Sequence, residues 1–356
     1  MLKTLQMKYE AISKLSNSEK RLLSVLDKDS WLTFREMGKL LNISTSTINY
    51  RISKLIRLGV LKRMSINVNL DKIGYHTVFI GINGTIGKNS LYFTENISKL
   101  NEVLCIYRGI GRYSFLVKLF YKNLDELSYR IDEWKEELGS TNIDVFLVTD
   151  IYKNSAFPDF SPELDPRVHR QAYTKKSKKE TDMVDKDVKV DEKDLKILTI
   201  LDKDSWTRFK EIGEYVNLTA NSVFFRIKKM ILNQIIRNFT IVIDPKRAGF
   251  IDAYLFIDTV HSPISPSVIA SKLATDANVV FVATGIGEYS VLARILIEGS
   301  LKKLSRKVEE LLKKKYASIG IKYFMTSDCY KNLSLPDFFP EFPPRPPINY
   351  GNRNNT

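Results

Sequence analysis

Between Glu36 and Asp71 the chain has no acidic side chain but six cations: Lys39, Arg51, Lys54, Arg57, Lys62 and Arg63. Short polar groups stand among them, in the run Ser44, Thr45, Ser46, Thr47, then Asn49 and Tyr50. Cations so placed neutralise phosphates, and polar side chains between them reach base edges or phosphate oxygens. Asn49 has the chemistry to pair with an adenine edge, and free amides at Ser44–Thr47 would favour a phosphate. A second acid-free stretch, Glu214 to Asp244, holds Arg226, Lys228, Lys229 and Arg237 behind Thr219, Ala220, Asn221 and Ser222. The acids gather elsewhere, as at Glu133, Glu136 and Glu137. A net charge of +14 agrees with a polyanionic partner, although charge alone also suits a membrane surface or a ribosome.

Other chemistry is poorly supported. His76, His169 and His261 stand apart, and with Cys105 and Cys329 they form no metal-ligand cluster, so neither metal nor cofactor is expected. Gly109-x-Gly111 joins two strands, opens no helix and has no third glycine, which argues for a hairpin turn over a dinucleotide site. The first residues are interrupted by charge too often for a secretory signal, and no run of about eighteen apolar residues occurs. With two unmatched cysteines, these features lead to the expectation of a reduced cytoplasmic protein with no membrane segment.

The elements that position these residues come in two copies. Asp27-Lys28-Asp29-Ser30-Trp31 returns as Asp202-Lys203-Asp204-Ser205-Trp206, and the copies align without a gap to Gly74 and Gly249, with about fifteen of forty-eight positions identical. Gly109 to Ser114 returns as Gly285 to Ser290, Asp150 to Asn154 as Asp328 to Asn332, and Pro158-Asp159-Phe160 as Pro336-Asp337-Phe338. The charged run Lys175 to Lys189 reads as a solvated linker, and the Pro-rich end after Phe339 as a tail.

Each copy opens with three helices. Leu22, Leu23 and Leu26 form one stripe, and Phe34, Met37 and Leu41 a second. Ser44 suits an N-cap for a third helix with Ile48, Ile52 and Leu55 inward and Gly59 at its left-handed close. Val60 to Val68 alternates like a short hairpin, the wing, on which Lys62 and Arg63 would reach flanking phosphates. The remainder reads strand, helix, strand, strand, helix, strand, with strands at Val78–Ile82, Val103–Ile106, Phe115–Phe120 and Val145–Val148. The expected class is α+β: two repeats, each a winged helix-turn-helix followed by a ferredoxin-like βαββαβ domain. The divisions are 1–16 extension, 17–68 first helix-turn-helix, 69–154 first ferredoxin-like domain and 155–190 exit and linker, then 191–243, 244–332 and a tail 333–356. Phe115, Val117 and Leu119 alternate with Leu116 and Phe120, so both sheet faces are apolar and one should meet another sheet, through pairing of the two repeats, through a homo-oligomer, or both. In the second copy Phe224 and Phe225 replace Asn49 and Tyr50, so the two readers are unequal and suit an asymmetric DNA site.

The run Ile43-Ser44-x-x-Thr47-Ile48-x-x-Arg51-Ile52-x-x-Leu55, then Gly59-Val60-Leu61 and Leu70-Asp71-x-Ile73-Gly74-Tyr75, resembles the Lrp/AsnC family of regulators. The second copy matches through Asp194 to Leu198, Leu218-Thr219, Val223, Arg226-Ile227 and Ile243-Asp244-Pro245. The resemblance implies a prokaryotic transcription regulator that binds double-stranded DNA and oligomerises through its sheets. Many relatives take an amino-acid effector near a Gly-x-Tyr/Phe-Asp loop. The matching positions here are Gly111, Tyr113 and Ser114, and Gly287, Tyr289 and Ser290, with Ser in place of Asp. Siroheme decarboxylases also resemble this family and occur as fused pairs, so an enzyme on the same architecture is the alternative. The Asn-His pair expected of them is missing from Asn69-Leu70-Asp71 and Ile243-Asp244-Pro245.

Overall fold

A computed structural model describes residues 14–83, 94–138, 142–165, 189–313, 319–336 and 338–339. Most of the N-terminal extension, the linker up to 188 with His169, and the Pro-rich tail lie outside the described residues.

Helix α1 (Asn17–Lys28) starts in a capping box: Ser16 Oγ accepts from the Glu19 amide and the Glu19 carboxylate accepts from the Ser16 amide. Its stripe of Leu22, Leu23 and Leu26 is fully buried. Helix α2 (Phe34–Leu41) repeats the device with Thr33 and Glu36. Helix α3 (Thr45–Arg57) is capped by Ser44, whose hydroxyl accepts the Thr47 amide at 3.1 Å, and Gly59 closes it at φ +66°. The second repeat opens in the same way with α5 (Glu192–Lys203), α6 (Phe209–Val216) and α7 (Ala220–Leu232).

The expected hairpin at Val60–Val68 is not formed. One strand, β1 (Leu61–Val68), runs there, and its neighbour is the corresponding strand of the other repeat, β6 (Ile236–Ile243), antiparallel from Leu61 opposite Ile243 to Val68 opposite Ile236. Alternation reports that a segment is a strand, not which segment it pairs with. The repeated Asp-Lys-Asp-Ser-Trp motif locks this ribbon. Trp31 stacks on Phe239 at 4.2 Å, and Trp206 Nε1 donates to the Ser30 carbonyl at 2.6 Å. The buried Asp27 carboxylate accepts from Thr240 Oγ1 (2.5 Å) and from the amides of Ala156 and Phe157 (2.9 and 3.2 Å). Asp202 mirrors it, accepting from Ser65 Oγ (2.5 Å) and the amides of Ser334 and Leu335 (3.2 and 3.3 Å). Burial pushes the Asp27 carboxyl up to about 6, against the downward pull of its hydrogen bonds.

The first αβ part contains β2 (His76–Asn83), β3 (Val103–Gly111), β4 (Phe115–Tyr121), α4 (Leu124–Leu138) and β5 (Asn142–Asn154). The second contains β7 (Phe250–Asp258), α8 (Pro266–Ala274), β8 (Val279–Gly287), β9 (Val291–Glu298), α9 (Leu301–Val308) and β10 (Gly320–Asn332). Their sheets, ordered β3-β4-β2-β5 and β8-β9-β7-β10, join edge to edge into a closed eight-stranded barrel. Closure depends on two long strands that change partner midway. Strand β5 pairs with β2 as far as Leu147 and with β8 from Phe146 onward, while β10 passes in the same way from β7 to β3. Closing the sheet removes the edges of both repeats. Phe79, Tyr107, Leu116 and Phe146 meet Phe256, Phe281, Leu292 and Phe324 in one core, while Val117 and Leu119 face Leu127 and Trp134 of α4 in another. The two apolar faces of β4 are thus covered within one chain.

Candidate nucleic-acid interface

Ile48, Ile52 and Leu55 anchor α3 in its module, which leaves Thr45, Ser46 and Tyr50 exposed, Tyr50 at 64%. The hydroxyls of Ser46 and Thr47 both lie 2.8 Å from Ser44 Oγ, so the helix tip is a small hydroxyl cluster over the first amides. Asn49 is half-buried, and its Oδ1 has no hydrogen-bond partner among the described residues.

Each module uses acids at the start of its first helix to hold a cation of its reader helix. In the first, Lys54 donates to Glu19 at 2.7 Å. Burial pushes the Glu19 carboxyl up, but hydrogen bonds from Lys54 and Ser16 outweigh this and hold it below the usual range. In the second, Arg226 bridges Asp191 and Asp194 at 2.8 Å each. Lys54 corresponds to Lys229 and Arg226 to Arg51, so the held cation sits one turn apart in the two copies. Arg51 therefore has no carboxylate within ion-pair distance among the described residues, and Lys229 is exposed. Thr219 caps α7 by accepting the Ser222 amide at 3.2 Å, with Ala220 and Asn221 exposed beside it and Lys228 partly buried. Phe224 lies 5.8 Å from Phe209 of α6, leaving Phe225 as the ring that faces outward, 53% exposed.

The ribbon residues differ from the wing expectation. Arg63 is turned inward, donating to the carbonyls of Asp202 (3.0 Å) and Asn332 (2.7 Å), because its strand is clamped between the repeats. Lys62 stays exposed, 3.4 Å from Asp244. Arg237, its counterpart, is exposed and borders a cavity between the ribbon and the barrel.

The loops of the expected effector residues meet across the barrel. Tyr113 and Tyr289 are both buried against Phe256, at 5.1 and 5.3 Å. A side chain at Gly111 or Gly287 would place Cβ 2.2 Å from the carbonyl oxygen of Tyr323 or Val145, so both glycines admit the crossing strand. The Ser114 and Ser290 amides donate to Ile82 and Ile257. Between the loops, Arg112 bridges Asp144 (3.0 Å) and Glu288 (2.9 Å), and the last is its own counterpart in the repeat. These residues join the repeats.

Sequence reasoning missed Lys118 and Arg294, which reach the cavity beneath the ribbon. The signal was present: a single cation within the apolar runs Phe115–Tyr121 and Val291–Glu298. His76 is exposed and bonded to Asp71 (3.1 Å), and His261 is exposed; neither lines that cavity.

Two family models match: a winged helix-turn-helix DNA-binding model over residues 15–62 and an AsnC-type helix-turn-helix domain over 190–231. An uncharacterised HTH-type transcriptional regulator of Pyrococcus abyssi is 32% identical over 142 residues, 39% of this chain and 96% of the relative. The HTH-type transcriptional regulator FL11 of Pyrococcus furiosus is 30% identical over 142 residues, 40% of this chain and 93% of the relative. The chain belongs to the Lrp/AsnC family of helix-turn-helix transcriptional regulators. The siroheme decarboxylase NirDL shares the fold over both repeats, with a TM-score of 0.55 and 13% identity across 91% of this chain and 96% of that one. No helix among the described residues is long and apolar enough to cross a membrane.

Proposed function

We propose that the chain reads double-stranded DNA in a sequence-specific way, with the N-terminal half of α3 in the major groove and α7 as an unequal second reader. The observation that carries this is the exposed, acid-free tip of α3, where Thr45, Ser46 and Tyr50 project beside an Arg51 that no carboxylate among the described residues holds. Ser44, Thr45 and Ser46 at the helix tip face a phosphate, with the Thr47 amide already taken by the Ser44 cap, Asn49 Oδ1 lacks a partner among the described residues and offers an acceptor to a base edge, and Lys62 reaches the flanking backbone. At α7, Thr219, Ala220, Asn221, Ser222, Lys228 and Lys229 take the corresponding places. Arg226 is engaged by its two aspartates, and Phe225 offers an apolar contact to a thymine methyl. DNA reading falls to 17–68 and 191–243, and pairing of the repeats to 69–154 and 244–332. Because the readers differ, the bound site is asymmetric. Such a regulator works where the chromosome lies, in a prokaryotic cytoplasm.

Fragments selected from genomic DNA and titrated by gel shift at stepped salt test this. Affinity should fall steeply with salt and favour one sequence by at least about a thousandfold over bulk DNA. Absence of binding at every salt concentration would refute it. An enzyme of the siroheme decarboxylase kind rests on fold likeness alone; a bound absorbance spectrum on titration with siroheme would revive it.

A further inference from the structure

The cavity between the ribbon and the mouth of the barrel has a volume of about 110 Å³ and is bordered by Asn69, Tyr107, Lys118, Arg237, Tyr254 and Arg294. Lys118 and Arg294 are equivalent positions, since Lys118 lies opposite Phe79 in the β2–β4 pairing and Arg294 opposite Tyr254 in the β7–β9 pairing. Their surroundings differ in one decisive respect. Arg294 is held by both oxygens of Asp252, at 2.8 and 2.7 Å, and lies over the rings of Tyr107 and Tyr254. The residue corresponding to Asp252 in the first repeat is Thr77, so Lys118 has no carboxylate there. Its ammonium lies 5.8 and 5.9 Å from the rings of Phe79 and Phe281, which do not replace a counter-ion. Arg237 faces the same cavity from β6, with no hydrogen bond or ion pair among the described residues, so two like charges approach each other across it. Lys118, desolvated within the barrel wall, and the more exposed Arg237 repel each other across this space unless an anion joins them. Desolvation accordingly pushes the Lys118 ammonium below its ordinary range.

We propose that this cavity binds a small anion, a carboxylate or a phosphate ester, between Lys118 and Arg237. The ligand would tie barrel strand β4 to ribbon strand β6, and both DNA-reading modules sit on that ribbon. Its occupancy would therefore bias how the two reader helices are presented, a consequence that rests on the DNA-binding reading; the binding itself does not.

The test is a thermal-shift titration of the full chain with acetate and with inorganic phosphate, each against chloride at equal ionic strength, followed by gel shifts with and without the anion that binds. One anion should raise the melting temperature with a saturable dependence. Acetate alone would indicate a carboxylate effector and phosphate alone a phosphorylated one. Two variants separate the site from non-specific charge. Lys118→Met should weaken binding at least tenfold without lowering the melting temperature of the free protein. Thr77→Asp, which recreates the Asp252 pair, should abolish binding while keeping the lysine. No saturable shift with either anion, or an unchanged affinity in Thr77→Asp and Lys118→Met, would overturn the proposal. Binding with unaltered DNA affinity would overturn only the coupling, and anion binding with no DNA affinity at all would overturn only the DNA reading.

Discussion

Asp27 gives a prediction whose size follows from the structure. Its carboxylate is buried where α1, the ribbon and the exit segment meet, and its titration moves from an ordinary 3.8 to about 6. At about 1.4 kcal/mol per pH unit this corresponds to about 3 kcal/mol of stability. Below about pH 3 the group is protonated in folded and unfolded chains alike, and its full contribution is present. As pH rises from 4 towards 6 the unfolded chain releases the proton while the folded chain keeps it. Stability therefore falls, and the loss is complete once pH has passed about 6. Asp27→Asn carries no charge at any pH. Its single carbonyl oxygen keeps an acceptor for Thr240 and Ala156, and the amide nitrogen loses the acceptor that Phe157 uses. The stability of this variant relative to the natural chain should thus rise by about 2 kcal/mol between pH 4 and pH 7. Urea unfolding followed by tryptophan fluorescence measures it, because Trp31 and Trp206 lie against this junction. A difference between the chains that stays constant over that range, or moves the other way, would refute the account of Asp27 as a buried acid retaining its proton.

Other outcomes are expected from the same structure. Arg51→Ala should lower DNA affinity and reduce the slope of log affinity against log salt by about 0.9, as loss of one phosphate contact requires, whereas Lys54→Ala should change the slope less and instead lower stability by leaving Glu19 unpaired; equal slopes in the natural chain and Arg51→Ala, read by gel shift, would count against α3 as the contact surface. Leu116→Asp or Leu292→Asp places an unpaired charge in the barrel core at a cost of several kcal/mol, so size-exclusion profiles should show aggregated or expanded chain, and an unaltered hydrodynamic radius would contradict the sheet packing. Arg112→Glu sets three carboxylates together with Asp144 and Glu288 and should lower the melting temperature, and adding Glu288→Arg should recover most of the loss; no recovery would remove this pair from the forces that join the repeats.

Much of this architecture can be read from local rules. Ser44 capping α3, Gly59 ending it and the two-faced pattern of Phe115–Phe120 each depend on residues within a few positions, and each is seen. What sequence reasoning missed depends on partners from the other repeat. Val60–Val68 has the same alternation whether its neighbour is the next strand or β6, nearly the whole repeat away. Arg63 was legible as a cation but not as one clamped between the Asp202 and Asn332 carbonyls. Strand β5 extends past Val148 to Asn154 because the polar end Thr149–Asn154 pairs with β8 at the junction, and half-exposed polar residues look like a loop when that partner is unknown. The cation pairing at the readers lies within each repeat and was hidden by distance along the chain, since Glu19 and Lys54 are 35 residues apart.

The divergence of the two copies follows from their being joined. In a symmetric dimer every substitution appears twice, so an arginine facing its own counterpart would meet a second arginine. Arg112 meets Glu288 instead, Thr77 stands where Asp252 holds Arg294, and Asn49-Tyr50 stands where the other reader has Phe224-Phe225. The first pairing favours one repeat on the other over either repeat on itself, because like charges would oppose the homotypic arrangement. With pairing secured by such contacts and by the shared ribbon, each remaining position is free to serve one site only. Lys118 then keeps no aspartate of the kind that holds Arg294, and the two reader helices need not recognise the same half-site.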